Sequence, residues 1–124
     1  MGLDQYLMKR NDIGEDQKAI YWRKSNFVHR YFTKDWEERG FKTDNVTEFP
    51  VSKSDLKELL ELCKVVLEDH TQALHLLPTM KGFFFGSIDY DDWYFNDIKY
   101  TKEELEQVLK EAEDNDEFYY FAWY

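Results

Sequence analysis

The segment that begins at Ser52 constrains the fold most strongly, because a helix start signal is followed there by a helical apolar stripe. Ser52 and Asp55 have the spacing of a capping box. Val51 and Leu56 lie on either side of the cap at the spacing of a hydrophobic staple. The apolar stripe on one helix face consists of Leu56, Leu59, Leu60, Cys63, Val66 and Leu67. The sequence therefore predicts an amphipathic helix that packs against a core.

Two further helices are predicted, one on each side of this segment. Residues 19–38 have aromatic and apolar side chains near helical spacing, and Gly40 follows them as a left-handed cap. Thr101 and Glu104 repeat the capping-box spacing, which predicts the start of a later helix. Its staple and apolar stripe would consist of Tyr100, Leu105, Val108, Leu109 and Ala112.

Four segments have the composition of β-strands. They are residues 3–9, 46–51 and 118–124, together with the Phe83-Phe84-Phe85 run. Strands and helices follow one another in mixed order, without regular βαβ alternation. This order predicts an α+β fold, a single domain spanning residues 1–124, in which a mostly antiparallel sheet of about four strands packs with about three helices.

The charge of the chain is unevenly divided, with a net charge of -10 over 124 residues. Residues 1–43 contain nine Lys and Arg against seven Asp and Glu, which is +2, so residues 44–124 contain seven against nineteen, which is -12. An acidic chain repels the phosphate backbone of a nucleic acid, whereas it attracts a basic protein surface. Composition alone also allows that the acidity only keeps an aromatic-rich protein soluble.

Several classes of site are excluded or disfavoured by the residue types present. Cys63 is the only cysteine, which excludes an internal disulfide and CxxC-type zinc sites, and its place on an apolar stripe predicts an inert core thiol. No apolar run approaches a membrane span, and no signal-peptide pattern opens the chain. We expect no cofactor and no metal, a cytoplasmic location and, since no catalytic constellation stands out, a function other than catalysis.

The first candidate site is an acidic and aromatic segment that spans residues 89–97. A calcium loop would need a central glycine and a terminal glutamate, which this segment lacks. Aromatic rings provide contact area in protein interfaces, and carboxylates steer a basic partner towards them. The predicted partner-binding residues are Asp89, Tyr90, Asp91, Asp92, Trp93, Tyr94 and Asp97.

The alternative candidate is a ligand site built on the predicted helix of residues 19–38. There Trp22, Asn26 and His29 would share one face, with Arg23 beside them. Glycines on either side of a strand would let a ligand approach the backbone closely. The predicted ligand-binding residues are Trp22, Arg23, Asn26, His29, Gly82, Gly86 and Ser87. A solvated basic helix with one core histidine would explain the same pattern.

Several motifs along the chain resemble a family of small phage and prophage proteins. They are Met1-Gly2-Leu3-Asp4-Gln5-Tyr6-Leu7, Tyr21-Trp22-Arg23-Lys24-x-Asn26-x-x-His29, Leu76-Leu77-Pro78-Thr79, and Gly82-Phe83-Phe84-Phe85-Gly86-Ser87 followed by Tyr90-Asp91-x-Trp93-Tyr94-Phe95-x-Asp97. The family has no agreed activity, so the resemblance implies no catalytic residue. It implies an acidic phage protein that binds a host protein with a basic surface, such as a nuclease, and thereby inhibits a host defence factor, as anti-CRISPR and anti-restriction inhibitors do.

Three other classes remain open on the sequence: a protein that binds or sequesters a nucleotide-like small molecule, a small enzyme, and a virion or replication accessory subunit. The arrangement of four residues distinguishes the small-molecule class from the protein-binding class. Clustering of Arg23, His29, Asp91 and Trp93 around one concave pocket would favour a small ligand. Acidic side chains spread over a convex face would favour a protein partner.

Overall fold

The computed structural model describes residues 2–34, 36, 38, 46–82 and 85–123, with the backbone alone at 46–47. Within these residues, four antiparallel strands form one sheet in the order β2-β1-β4-β3: β1 (Asp4–Arg10), β2 (Asp16–Arg23), β3 (Val46–Val51) and β4 (Glu117–Trp123). The helices are α1 (Asn26–Thr33), α2 (Lys53–Glu68), α3 (Ala73–Leu76) and α4 (Asp92–Glu111), with a 3-10 turn at His70–Gln72. The predicted α+β class with an antiparallel sheet is confirmed.

Strand β2 shows that the helix predicted over residues 19–38 is wrong in its first part. The side chains of Ile20 and Trp22 are buried while those next to them are half-buried or exposed, which is the alternation of a strand. Pairing with β1 along the whole of β2 favours this conformation over the local helical spacing. The helix therefore begins only at Asn26. The predicted cap at Gly40 lies outside the described residues.

Helix α1 lies in the middle of the fold, and seven of its eight residues are buried. On the sheet side, the ring of Phe32 packs against Trp22 and Tyr120, with ring centroids 6.4 and 4.8 Å away. On the other side, Phe27 packs against Tyr94 of α4 at 5.4 Å. Burial of each such ring contributes about 2–3 kcal/mol relative to its exposure to water. These aromatic side chains are thus the part of the core that joins α1 to the sheet and to α4.

Helix α2 begins as its sequence predicts. The Ser52 hydroxyl accepts a hydrogen bond from the Asp55 amide at 3.0 Å, and the Asp55 carboxylate accepts one from the Ser52 amide at 3.1 Å. Val51 and Leu56 are both buried beside this cap. The predicted stripe faces the core, except that Leu67 is only half-buried. The capping box and the amphipathic helix are confirmed.

Helix α4 begins earlier than the second capping-box spacing predicts. Its N-cap is Asp91, whose carboxylate accepts a hydrogen bond from the Tyr94 amide at 3.1 Å. Thr101 is buried inside the helix, where its hydroxyl donates to the Asp97 carbonyl at 2.7 Å and accepts from Nε1 of Trp22 at 2.9 Å. A threonine that bonds the carbonyl one turn earlier is compatible with a helix interior. The prediction that Thr101 caps a helix is therefore wrong.

The sheet face opposite α1 carries a row of aromatic side chains. The ring of Tyr6 lies 5.2 Å from that of Tyr21 and 5.7 Å from that of Phe121. The Nζ atom of Lys18 lies 4.9 Å from the centre of the Tyr6 ring and so covers part of this surface. Among the described helices, none is long and apolar enough to cross a membrane.

Candidate functional site

A cleft of about 420 Å³ lies where the end of β2 meets the start of α1 and α4. Its volume falls in the range of small-ligand pockets, roughly 300–1,000 Å³. Three segments contribute to its walls: residues 23–27, residues 86–89 together with Thr79, and the first turns of α4 with its cap. The cleft therefore joins parts of the two segments that the sequence offers as alternative sites.

Arg23 and Lys24 bring positive charge to this cleft. The Nη1 atom of Arg23 lies 3.3 Å from Oδ1 of Asp4, and both side chains are partly exposed. Lys24 is exposed and has no ion pair with a described residue. Its backbone is in the left-handed region, with φ 55°, and its amide donates to the Leu3 carbonyl at 2.7 Å. A non-glycine residue in this region stores strain of about 1–3 kcal/mol, and such residues cluster at functional sites.

Two glycines make room for Lys24. A Cβ atom on Gly86 would lie 3.2 Å from the Cβ of Lys24, and one on Gly2 would lie 3.0 Å from its Cε. Both glycines have positive φ, so a side chain would be strained there as well as crowded. Gly86 thus permits a close approach, and the approaching group is the chain's own Lys24. Gly82 is not part of the cleft wall, and a Cβ on it would lie 2.7 Å from the ring of Phe85.

Three carboxylates bring negative charge to the same cleft. That of Asp89 is exposed and has no partner among the described residues. That of Asp91 caps α4. Asp97 is half-buried and accepts a hydrogen bond from the Ser25 hydroxyl at 2.9 Å. Burial raises the pKa of Asp97, and the Ser25 hydrogen bond opposes that rise because it favours the charged form.

The basic and acidic side chains of the cleft are not paired with one another. In the described structure, no ion pair within 4.0 Å joins its two basic residues to its three acidic ones. The positive groups come from the end of β2 and the residue that follows it, and the negative groups come from the loop before α4 and from α4 itself. The cleft therefore presents separated charges of both signs to a molecule that enters it.

Trp93 adds a large exposed aromatic surface on the first turn of α4, since 81% of the residue is exposed to solvent. Tyr94 lines the cleft but is buried, and its hydroxyl donates to the Leu77 carbonyl at 2.7 Å. Tyr90 and Asp92 are exposed and lie outside the cleft wall. Of the predicted partner-binding residues, five line the cleft: Asp89, Asp91, Trp93, Tyr94 and Asp97.

Asn26 holds the loop between α3 and α4 against the start of α1. Its Nδ2 atom donates to the carbonyls of Phe85 and Ser87 at 3.0 and 2.9 Å, and its Oδ1 accepts from the Met80 amide at 3.0 Å. Both the Nδ2 donor and the Oδ1 acceptor of the buried Asn26 side chain are therefore bonded to the loop backbone. Asn26 thus positions this wall of the cleft. Phe85 belongs to this loop and not to the predicted strand, whose other residues, Phe83 and Phe84, lie outside the described residues.

Trp22 and His29 lie in the core and not at the cleft. The expectation that they share a helix face with Asn26 is wrong, because Trp22 belongs to β2. The Nδ1 atom of His29 lies 2.9 Å from the hydroxyl of Tyr120. Burial lowers the pKa of His29 to about 4, so its ring is neutral at neutral pH. Of the seven predicted ligand-binding residues, Arg23, Asn26, Gly86 and Ser87 line the cleft.

Sequence reasoning missed Lys24 and Ser25, which connect β2 to α1. Gln5 fixes the backbone of Ser25: its Oε1 accepts from the Ser25 amide and its Nε2 donates to the Ser25 carbonyl, both at 2.8 Å. The same Nε2 donates to the Tyr120 hydroxyl at 3.0 Å. The sequence signal for this turn is the strand-like alternation at the end of β2, where Ile20 and Trp22 are buried and Tyr21 and Arg23 are exposed. That alternation indicates a strand that ends before the helix begins.

The described residues contain no group of three or more His, Cys, Asp or Glu side chains that could bind a metal ion. Cys63 is buried, as its stripe predicts, and burial raises the pKa of its thiol to about 12. Its thiolate, the reactive form of cysteine, is therefore scarce at neutral pH. The cleft offers a binding partner or ligand charged groups of both signs and one exposed indole ring.

Comparisons of the chain with protein-family models, with curated proteins and with solved structures find no match.

Proposed function

We propose that this protein is a small protein-binding module and that the cleft and Trp93 form its binding surface. The observation that carries the proposal is the exposure of Trp93, at 81%, beside a cleft whose basic and acidic side chains are not paired with one another in the described structure. Tryptophan is among the residues that contribute most to binding free energy when a partner covers it. Contact with a partner would remove this indole ring from water.

The proposed partner is a protein with a basic surface. Residues 44–124 carry a net charge of -12, from seven basic and nineteen acidic side chains. Asp89 and Asp92 are exposed close to Trp93 in the chain and add negative charge around it. Complementary charge accelerates association and disfavours acidic partners.

We further propose that this partner is a host defence factor, such as a nuclease, and that the module inhibits it in the cytoplasm of a bacterial host. This part of the proposal is supported by the resemblance to phage proteins and by the acidity of the chain. Nucleases bind DNA or RNA phosphates with basic surfaces, and carboxylates placed there compete with the phosphates. Inhibition of the anti-CRISPR or anti-restriction type would then need occupancy of a surface and no catalysis.

A second candidate function is binding of a nucleotide-like small molecule. It is favoured by the meeting of Arg23, Asp91 and Trp93 at one cleft, although His29 lies elsewhere. A base would stack on Trp93, and a phosphate would contact Arg23 and Lys24. Thermal unfolding against a panel of nucleotides tests it, since a ligand at about 100 times its Kd adds about 2.7 kcal/mol. Unchanged unfolding with every nucleotide would contradict this candidate.

Affinity capture from a bacterial lysate, with identification by mass spectrometry, tests the protein-binding function. Wild type and Trp93→Ala are compared with Trp123→Ala, which removes an exposed tryptophan outside the cleft wall. We expect wild type and the control to retain the same partner in stoichiometric amount, with recovery that falls as salt rises. Trp93→Ala should lose it. Recovery of no partner at low salt, or equal recovery by Trp93→Ala, would contradict the proposal.

A further inference from the structure

We propose that the cleft binds a dipolar group, in which the guanidinium or ammonium ion of a basic side chain is joined by its aliphatic chain to a carboxylate. A free basic amino acid has this chemistry, and so does a basic residue at the C-terminus of a polypeptide. The inference rests on the proposed binding function and specifies the ligand that the cleft takes.

The cationic end of this group fits the acidic side of the cleft. The carboxylate of Asp89 is exposed and has no partner among the described residues, so it is available to a guanidinium or ammonium ion. The exposed indole of Trp93 lines the same cleft. An arginine or lysine head group stacks favourably on an indole face. Asp97, at the start of α4, adds a third group that attracts a cation.

The anionic end fits the basic side of the cleft. Lys24 is exposed, has no ion pair with a described residue, and is held in a left-handed conformation beside Gly86. The Nη1 atom of Arg23 donates to Oδ1 of Asp4 at 3.3 Å, and the guanidinium has further N–H donors that a carboxylate could accept from. Arg23 is the last residue of β2, Lys24 follows it, and both line the cleft.

A ligand of one charge would fit this cleft less well than a dipolar one. A simple cation would also approach Arg23 and Lys24, and a simple anion would also approach three carboxylates. Like charges brought close together disfavour the wrong ligand. In the described structure no ion pair joins these basic and acidic side chains, and Asn26 fixes the backbone of the loop that precedes Asp89 through three hydrogen bonds. An amino-acid-sized molecule fits a volume of about 420 Å³.

Calorimetric titration with defined probes tests this inference. L-arginine is compared with agmatine, which lacks the carboxylate, and with L-norvaline, which lacks the guanidinium. A short peptide that ends in arginine is compared with its C-terminally amidated form. We expect L-arginine, or the peptide with a free C-terminal carboxylate, to bind about tenfold or more tightly than the probe without that carboxylate. L-norvaline, which keeps its α-ammonium and carboxylate but has no side-chain cation, should bind as weakly as agmatine. Binding of free L-arginine would indicate a small molecule, and binding of the peptide alone would indicate a polypeptide C-terminus.

Charge-removing variants show where the probe binds. Lys24→Asn and Asp89→Asn should each weaken binding by about tenfold or more, and asparagine tolerates the left-handed backbone of residue 24. Lys57→Gln and Asp12→Asn remove exposed charges outside the cleft wall and should leave binding unchanged. Equal binding of agmatine and L-arginine, equal effects of cleft and control variants, or no binding of any probe at millimolar concentration would overturn the inference.

The outcome is separable from that of the proposed function. Capture of a partner that depends on Trp93, together with no binding of any probe, would overturn the dipolar ligand and leave the protein-binding function intact. Specific binding of L-arginine, with no partner captured, would support the dipolar ligand and contradict the protein-binding function.

Discussion

The hydroxyl of Ser25 donates a hydrogen bond to the carboxylate of Asp97 at 2.9 Å and so joins the start of α1 to α4 at the cleft. Ser25 is buried, and Asp97 is half-buried. Burial raises the pKa of Asp97, while the hydrogen bond from Ser25 lowers it. This contact therefore links the ionisation of one carboxylate to the part of the fold that shapes the cleft.

Asp97→Asn should change how stability depends on pH. Because the pKa of Asp97 is raised on folding, the folded protein holds this proton more tightly than the unfolded chain does. The resulting stabilisation is full below the unfolded pKa, about 3.9, and is lost as pH rises through the folded pKa. Relative to Asp97→Asn, wild type should lose stability as pH rises from about 4 through the folded pKa of Asp97. Urea unfolding at several pH values measures this difference, with Asp12→Asn as an exposed control.

A difference between wild type and Asp97→Asn that stays constant with pH would show that the folded-state pKa of Asp97 is not raised.

His29→Gln should reveal a pH dependence of the opposite sign. Burial lowers the pKa of His29 to about 4, so the folded protein binds this proton more weakly than the unfolded chain, whose histidine has a pKa near 6.5. The stabilisation is present above about pH 6.5 and is lost as pH falls towards 4. Between about pH 7 and pH 5, wild type should lose about 2 kcal/mol more than His29→Gln.

Urea unfolding at both pH values measures the loss for His29→Gln. His75→Gln replaces an exposed histidine and should behave as wild type does. Parallel pH dependences of wild type and His29→Gln would contradict the burial of a neutral ring.

Asn26→Asp should loosen the loop that forms one wall of the cleft. The variant keeps an oxygen acceptor for the Met80 amide but replaces the Nδ2 donor to the Phe85 and Ser87 carbonyls with a second oxygen. We expect a loss of about 1–3 kcal/mol in the free energy of unfolding. Amide hydrogen exchange across residues 80–87 should also accelerate. Asn96→Asp, at an exposed position of α4, is the control. Equal exchange in both variants would contradict the conclusion that Asn26 holds this loop.

Ser52→Ala should destabilise the protein by about 1 kcal/mol, because it removes the side-chain acceptor of the Asp55 amide. Ser54→Ala changes the same residue type at an exposed position of the first helical turn and should have a much smaller effect. Thermal or urea unfolding of both variants measures the difference. Equal stability of Ser52→Ala and wild type would mean that α2 does not depend on this cap.

Helix α2 could be predicted because its signals are local. The capping box spans Ser52 to Asp55, and the stripe that follows lies on one face of a single helix. Strand β2 could not be predicted in this way, because its conformation depends on pairing with β1, which places Tyr21 opposite Tyr6. The role of Thr101 could not be predicted for a related reason: its hydroxyl bonds to Asp97 and Trp22, and the contact with Trp22 exists only in the folded chain.

The cleft was only partly visible in the sequence. Asp91 and Trp93 belong to an acidic and aromatic segment that composition singles out. Lys24 and Ser25 have no such signal, and they become cleft residues because the loop before α4 folds against α1 through Asn26. A contact between segments about sixty residues apart cannot be inferred from local spacing.

The central claim, that the cleft and Trp93 are the binding surface, is tested most directly by amide hydrogen exchange on the free protein and on the captured complex. We predict that binding protects residues 23–27 and 86–97 and leaves the opposite sheet face, marked by Tyr6 and Phe121, unchanged. Protection confined to β1 and β4, with none at residues 86–97, would contradict the claim.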